Sequence, residues 1–337
     1  MSTPREDGLR MPAEWAPHQA TLMEWPTITR TEFWGELFDS AKADFAAVAN
    51  AVAAFEPVIV VADPTQATEA RAMCGEGVEI LPLPIDDSWM RDNGPIFVTD
   101  GRGGVALVNF RFNSWGNKYL PFDRDAEIPK HIASHLGMRR YEAPMVLEGG
   151  SIFVDGEGTL LTTEQCLLHP NRNPNMTREQ IERTLGDYLG IDQVLWLGEG
   201  HPLDRDTDGH IDAIAQYLSP GVILLDAPSD PVDPYHDAGQ DNLARLRAAR
   251  DAAGRAIDVV VFDAGTPAVT AYMNHYLVNG GVIVPADGEP NDESVLVQLK
   301  GAYPDREIVT VPGAVILEGG GGPHCITQQI PAGTPLS

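Results

Sequence analysis

A cysteine, two histidines and a set of acids stand at turns along this chain, and their types suffice for chemistry on a cationic carbon. Glu318-Gly-Gly-Gly-Gly-Pro-His-Cys-Ile-Thr327 sets four glycines ahead of His324 and Cys325. Glycine loses more chain entropy on folding than any other residue, so a run of four marks backbone that must turn tightly or approach something closely. The β-branched Ile326 and Thr327 read as a strand start, which places the Cys325 thiol beside a glycine-lined hollow and makes it the candidate nucleophile. Alone, it also reads as a small buried residue at a strand edge. Upstream, Trp89-Met-Arg-Asp-Asn-Gly-Pro95 offers Asp92, Glu148-Gly-Gly-Ser151 offers Glu148, and Asp206-Thr-Asp-Gly-His-Ile-Asp212 offers His210 and Asp212. Taken singly, these are ordinary turn residues, a solvated loop acid and a core histidine. Together they suit a planar cation: two carboxylates can each hold an edge of a guanidinium by paired hydrogen bonds and leave its carbon open to a thiolate.

The elements that must position these residues follow a rhythm. Trp34, Leu37, Phe38, Ala41, Phe45, Val48, Val52 and Phe55 fall on one helical face and predict a helix over Glu32 to Phe55, stopped by Pro57. Val58 to Ala62 reads as a strand, and Asp63-Pro64 as the start of a helix running to Cys74, a cysteine thereby expected to be structural. From there each cycle opens with a polar turn and continues with two short strands, an amphipathic helix and another strand. The turns are those at Trp89, Glu148 and Asp206, and a further one at Tyr272-Met-Asn-His275. A final strand near Cys325 to Ile330 is expected to pair with residues 18–25 and complete the first unit. Five ββαβ units arranged in a ring, turns toward one axis, explain this pattern best. A doubly wound sheet is the competing architecture, weakened by the lack of a G-x-G-x-x-G turn after a first strand. Leu147-Glu-Gly-Gly150 recurs as Leu317-Glu-Gly-Gly320, the one exception to units that share rhythm rather than sequence.

The chain has 337 residues and a formal charge of −26, from 23 Lys and Arg against 49 Asp and Glu. That balance speaks against nucleic acid or anionic membrane as partner and would draw in a small cation. No apolar run is long enough to span a membrane and no secretory leader is evident. Three cysteines without paired spacing argue against a disulfide framework and for a reducing compartment, the cytoplasm by default. Residues 1–10, polar and mixed in charge, are expected to be a flexible tail ahead of a single catalytic domain over 11–337.

The motifs taken in order resemble the agmatine deiminase family of guanidine-modifying enzymes, in the pentein superfamily. The resemblance runs through Met11-Pro-Ala-Glu-Trp15, Trp89 to Pro95, Glu148 to Ser151, Cys166-Leu-Leu-His-Pro-Asn-Arg-Asn173, Asp206 to Asp212, Pro290-Asn-Asp292 and His324 to Gln329. It implies a five-bladed pseudo-symmetric α/β propeller, no cofactor, no metal and a homo-oligomer. It also implies roles: Cys325 as nucleophile, Asp92 and Asp212 gripping the guanidinium, Glu148 and His210 handling protons, Trp89 lining the alkyl part and Asp206 facing a distal ammonium. Asp208, Ala213 and Gly322-Pro323 depart from the agmatine-specific pattern. Arginine, peptidyl-arginine or a shorter alkylguanidine, and amidino transfer to another amine, therefore stay open as alternatives. A zinc site built from His210, Asp212, His324 and Cys325 is a rival that leaves the remaining acids unexplained.

Overall fold

Strand-sized apolar runs fold here into small sheets. The computed structural model describes residues 2–202, 204, 206–265 and 270–337. Among them lie five sheets of three or four strands. In one, Tyr276–Val278 turns back antiparallel into Gly281–Pro285, and the helix Asp292–Ala302 then carries the chain to Glu307–Val311, which runs parallel. The tight turn needs Gly280, whose φ of +79° suits a residue without Cβ. The same order recurs in Ile96–Thr99, Gly104–Arg111 and Arg140–Val146, and in Phe153–Val154, Thr159–Thr163 and Gln193–Leu197. It recurs again in Ala215–Ser219, Val222–Asp226 and Asp258–Phe262. The remaining sheet joins the chain ends: Thr327–Pro331 lies antiparallel to His18–Glu24, followed by parallel Val58–Ala62 and Val78–Pro82. This is the pseudo-symmetric α/β propeller, not a doubly wound sheet, because among the described residues the five sheets stay separate.

Apolar residues on both faces hold each blade between its neighbours. In Val58–Ala62 every residue is buried: Val58 and Val60 pack with Phe45 and Val48 of the helix Phe38–Ala53, while Ile59 and Val61 pack with Ile128 and Ile132 of the next blade's helix. Burial on both faces is why the strand reads as continuous Val and Ile rather than an alternation.

Three expectations need correction. The residues expected as a flexible tail over 1–10 are tied down: Leu9 enters an apolar cluster with Ile96 and Leu189, Arg5 donates to the Ile191 carbonyl at 2.9 Å, and Arg10 pairs with Thr99 through both backbone groups. One buried apolar side chain, a side-chain hydrogen bond and a β-bridge outweigh the segment's polar composition. The long first helix is broken, with Thr31–Trp34 ending at Gly35 and Phe38–Ala53 forming the main body. Asp63 caps a turn by accepting from the Thr65 amide, and the following helix starts only at Ala67. No described helix is long and apolar enough to cross a membrane.

Candidate active site

Ahead of the first strand of four blades the chain makes one short helical turn: Met90–Asn93, Gly149–Ser151, Ile211–Ala213 and Tyr272–Asn274. In the remaining blade Cys325 stands just before Thr327–Pro331. Neighbouring turns touch, so the ring brings Asp92, Glu148, Asp212, Asn274 and Cys325 to one axis, all buried. His210 joins them from the residue before its turn. The structure thus assembles the expected set and adds Asn274, whose position in the rhythm was its only sequence signal.

The Cys325 sulfur lies 3.5 Å from Asp212 Oδ2, and its amide donates to Asn274 Oδ1 at 3.1 Å. Burial, then the charges of Asp212 and Asp92, push this thiol well above its usual range, so it rests protonated. Asp212 Oδ2 also accepts from His324 Nδ1 at 2.8 Å, and His324 Nε2 donates to Glu14 Oε2 at 2.9 Å. Burial and Arg91 work against charge on His324, yet its two carboxylate partners hold its pKa above the ordinary value. Burial likewise opposes charge on Glu14, but His324 and Arg91 bring its carboxyl down to about 2. With both nitrogens engaged, His324 has no lone pair for a metal, which removes the zinc site built on His324 and Cys325.

His210 sits across the ring, its Nδ1 3.8 Å from Asp92 Oδ1. Burial disfavours its charge, but Asp92, Cys166 and Asp212 outweigh that and raise it well above the usual histidine range. Asp92 accepts from Trp115 Nε1 at 2.8 Å and from the Gly150 amide at 3.1 Å. Its carboxyl is pushed up to about 6, chiefly by burial. A Cβ on Gly150 would stand 2.6 Å from His210 Nδ1, 2.8 Å from Asp92 Oδ1 and 3.0 Å from Asp212 Oδ2. Glycine is required at the point where these three side chains converge. Glu148 lies behind His210, one oxygen accepting from Arg172 Nε at 2.6 Å and the other unpartnered. One atom each of Glu148, Cys166 and His210 lies within 4.8 Å of the others, a grouping with metal-ligand chemistry.

Cys325 opens onto two hollows. One is a narrow slot walled by Trp89, Trp115, Tyr119 and Asp206. Trp89 is held there by stacking on Trp34, centroids 6.4 Å apart. The other is a cavity of about 680 Å³ shared by Cys325, His210, Asp212, Asn274 and Asp206. Asp206 accepts from the Tyr119 hydroxyl and faces both. The glycine run forms the shared wall: a Cβ on Gly321 would stand 3.0 Å from the Cys325 sulfur.

Residues 10–331 match the model of the Porphyromonas-type peptidyl-arginine deiminase family. The chain belongs to that family. It is similar to the agmatine deiminase of Stutzerimonas stutzeri, 43% identical over 98% of each chain. Among solved structures it is similar to an agmatine deiminase of Enterococcus faecalis, with a TM-score of 0.93 and 35% identity over 98% of each chain. It is also similar to an agmatine deiminase of C. jejuni with substrate bound, with a TM-score of 0.86 and 25% identity over 97% of each chain.

Within this member of the Porphyromonas-type family, two of the positions that depart from the agmatine pattern, Asp208 and Gly322, have local explanations, whereas Ala213 lines the larger cavity. Asp208 is turned to Arg172, Lys118 and Asn171 at 2.7 to 2.9 Å, and although burial opposes charge, these partners hold it down to about 2. It braces the loop and lines neither hollow. Gly322 is set against Asn274, whose Oδ1 would lie 2.9 Å from a Cβ there. The repeated Leu-Glu-Gly-Gly does not repeat in structure: Glu148 is buried, whereas Glu318 is exposed at the end of the helix Ala314–Glu318. Glu14 and Arg172 escaped the sequence reading because they act by pairing with residues distant in the chain.

Proposed function

We propose that this chain hydrolyses agmatine to N-carbamoylputrescine and ammonia through a covalent amidino-cysteine. The observation that carries this is the Cys325 thiol 3.5 Å from Asp212 in a buried ring with Asp92 and His210. The names of the relatives support the same substrate. A guanidinium held between Asp92 and Asp212 replaces the missing positive charge beside the thiol and so favours its ionisation. As the thiolate forms its proton is taken up by Asp212, the carboxylate 3.5 Å from the sulfur; the thiolate attacks the guanidinium carbon, and His210, held as imidazolium, gives its proton to the departing amino group. Ammonia leaves, the C–S bond remains, and the proton taken up by Asp212 then restores the His210 imidazolium. Water then adds to the same carbon with Glu148 and His210 directing its protons, the C–S bond breaks back to the thiol, and a ureido product is released.

Trp89 and Asp206 bound the slot at the alkyl and amine ends of that substrate. The expected setting is a cytoplasmic homo-oligomer, checked by light scattering and fractionation. The deciding experiment measures ammonia release over agmatine, arginine, a peptidyl-arginine and shorter and longer guanidinoalkanes. Agmatine is expected to give the highest kcat/KM; the absence of ammonia from agmatine overturns the proposal. The family description makes peptidyl-arginine the arm to weigh against it.

A further inference from the structure

We infer that Glu148, Cys166 and His210 form a site for a thiophilic divalent cation such as zinc, and that filling it arrests turnover reversibly. The three side chains come from three separate segments and converge as one carboxylate oxygen, one thiol sulfur and one ring nitrogen, mutually within 4.8 Å. That donor set is one zinc and cobalt accept, with a fourth tetrahedral position left for water. Arg172 occupies only Oε1 of Glu148, whose Oε2 is buried without a partner, while the buried His210 ring faces the Cys166 thiol and, through Nδ1, Asp92 at 3.8 Å. Buried polar atoms are ordinarily satisfied, so an unpaired carboxylate oxygen beside a thiol and an imidazole marks a place that gains from a ligand.

Access and charge favour a cation. His210 lines the cavity of about 680 Å³ that reaches Cys325, and the chain's formal charge of −26 concentrates cations around it. Arg172 tempers this, since its guanidinium stands beside Glu148 and repels the ion. Binding replaces the thiol proton of Cys166 and a ring proton of His210, and both protons leave as the ion enters. The bound ion takes the lone pair of His210 and a carboxylate oxygen of Glu148, the two groups that move protons in the proposed reaction, while leaving Cys325 untouched.

The test has two arms. In the first, Cys325→Ser protein is titrated with cobalt(II) alone and read for thiolate-to-cobalt charge-transfer absorption. Saturable one-to-one absorption is expected, absent from the Cys166→Ser/Cys325→Ser protein; Cys74 is common to both and cancels. A silent Cys325→Ser protein, or absorption that survives in the double variant, overturns the inference. The second arm rests on the deiminase reading and measures zinc inhibition of ammonia release. Wild type is expected to stop and to recover with chelator, whereas Cys166→Ser should need roughly tenfold more zinc, each relative to its own uninhibited rate. Equal sensitivity places the ion on Cys325 and overturns the inference. A protein that releases no ammonia from any guanidine defeats the deiminase reading, and the cobalt arm still decides the site.

Discussion

His324 donates through Nδ1 to Oδ2 of Asp212 at 2.8 Å, the same oxygen that lies 3.5 Å from the Cys325 sulfur. The neighbour of Cys325 in sequence thus fixes the carboxylate that faces the thiol. Because His324 is itself held by Glu14, the first blade's entry segment and the last residues of the ring share one charged chain, Glu14 to His324 to Asp212.

Replacing the nucleophile should remove turnover alone. Cys325→Ser is expected to reduce ammonia release to background with an unchanged circular dichroism spectrum, since a hydroxyl lacks the thiol's nucleophilicity and easy ionisation. Cys74→Ser and Cys166→Ser should stay active where folded. A rate within roughly tenfold of wild type for Cys325→Ser would rule out the covalent step.

His210→Gln separates the two halves of the reaction. Intact-protein mass spectrometry after mixing with agmatine should show either a persistent amidino adduct, if water attack depends more on histidine, or no adduct, if ammonia departure does. Normal multiple turnover would take His210 out of the mechanism.

Gly150→Ala tests the packing of the reacting groups. Its Cβ would come within 2.6 Å of His210 Nδ1, so the imidazole and both aspartates must shift. Displacement on that scale costs on the order of 10²-fold in kcat/KM. Wild-type kinetics for Gly150→Ala would mean the converging side chains do not need their resting positions.

The Glu14 to His324 pair sets a pH window of stability. Glu14 is lowered from 4.5 to about 2, so its contribution is present above pH 4.5 and is lost as pH falls through about 2. His324 is raised from 6.5, so its contribution is present below pH 6.5 and is lost as pH climbs through its folded-state value. Glu14→Gln should lower the stability of the protein by about 3 kcal/mol inside that window, with the difference in Tm shrinking toward pH 2. A constant Tm difference from acid to neutral pH would show that packing, not charge, accounts for Glu14.

Asp206→Asn probes the far end of the substrate. Loss of one charge-assisted contact, about 1.5 to 3 kcal/mol, predicts a kcat/KM roughly ten- to hundredfold lower for agmatine. An alkylguanidine of equal length without the amine should be unaffected. Equal losses for both would mean that Asp206 serves only to hold the loop through Tyr119.

The sequence by itself determined the units and the chemistry. Short β-branched runs such as Val58 to Ala62 and Ile257 to Phe262 can only be strands in a chain this rich in turns, and four of the five segments that lead into a blade carry their candidate residues in local motifs. Cys325, His210, Asp92, Asp212 and Glu148 were legible for that reason. Tertiary structure alone decided their partners. Glu14 is 310 residues from His324, and no local periodicity reports a pairing made by ring closure. The same holds for Asn274 against Cys325 and for the Glu148, Cys166 and His210 grouping. The packing of Leu9 also belongs to tertiary contact, since a buried side chain outweighs local composition, whereas the break after Trp34 falls at Gly35, whose φ of +54° suits a residue without Cβ.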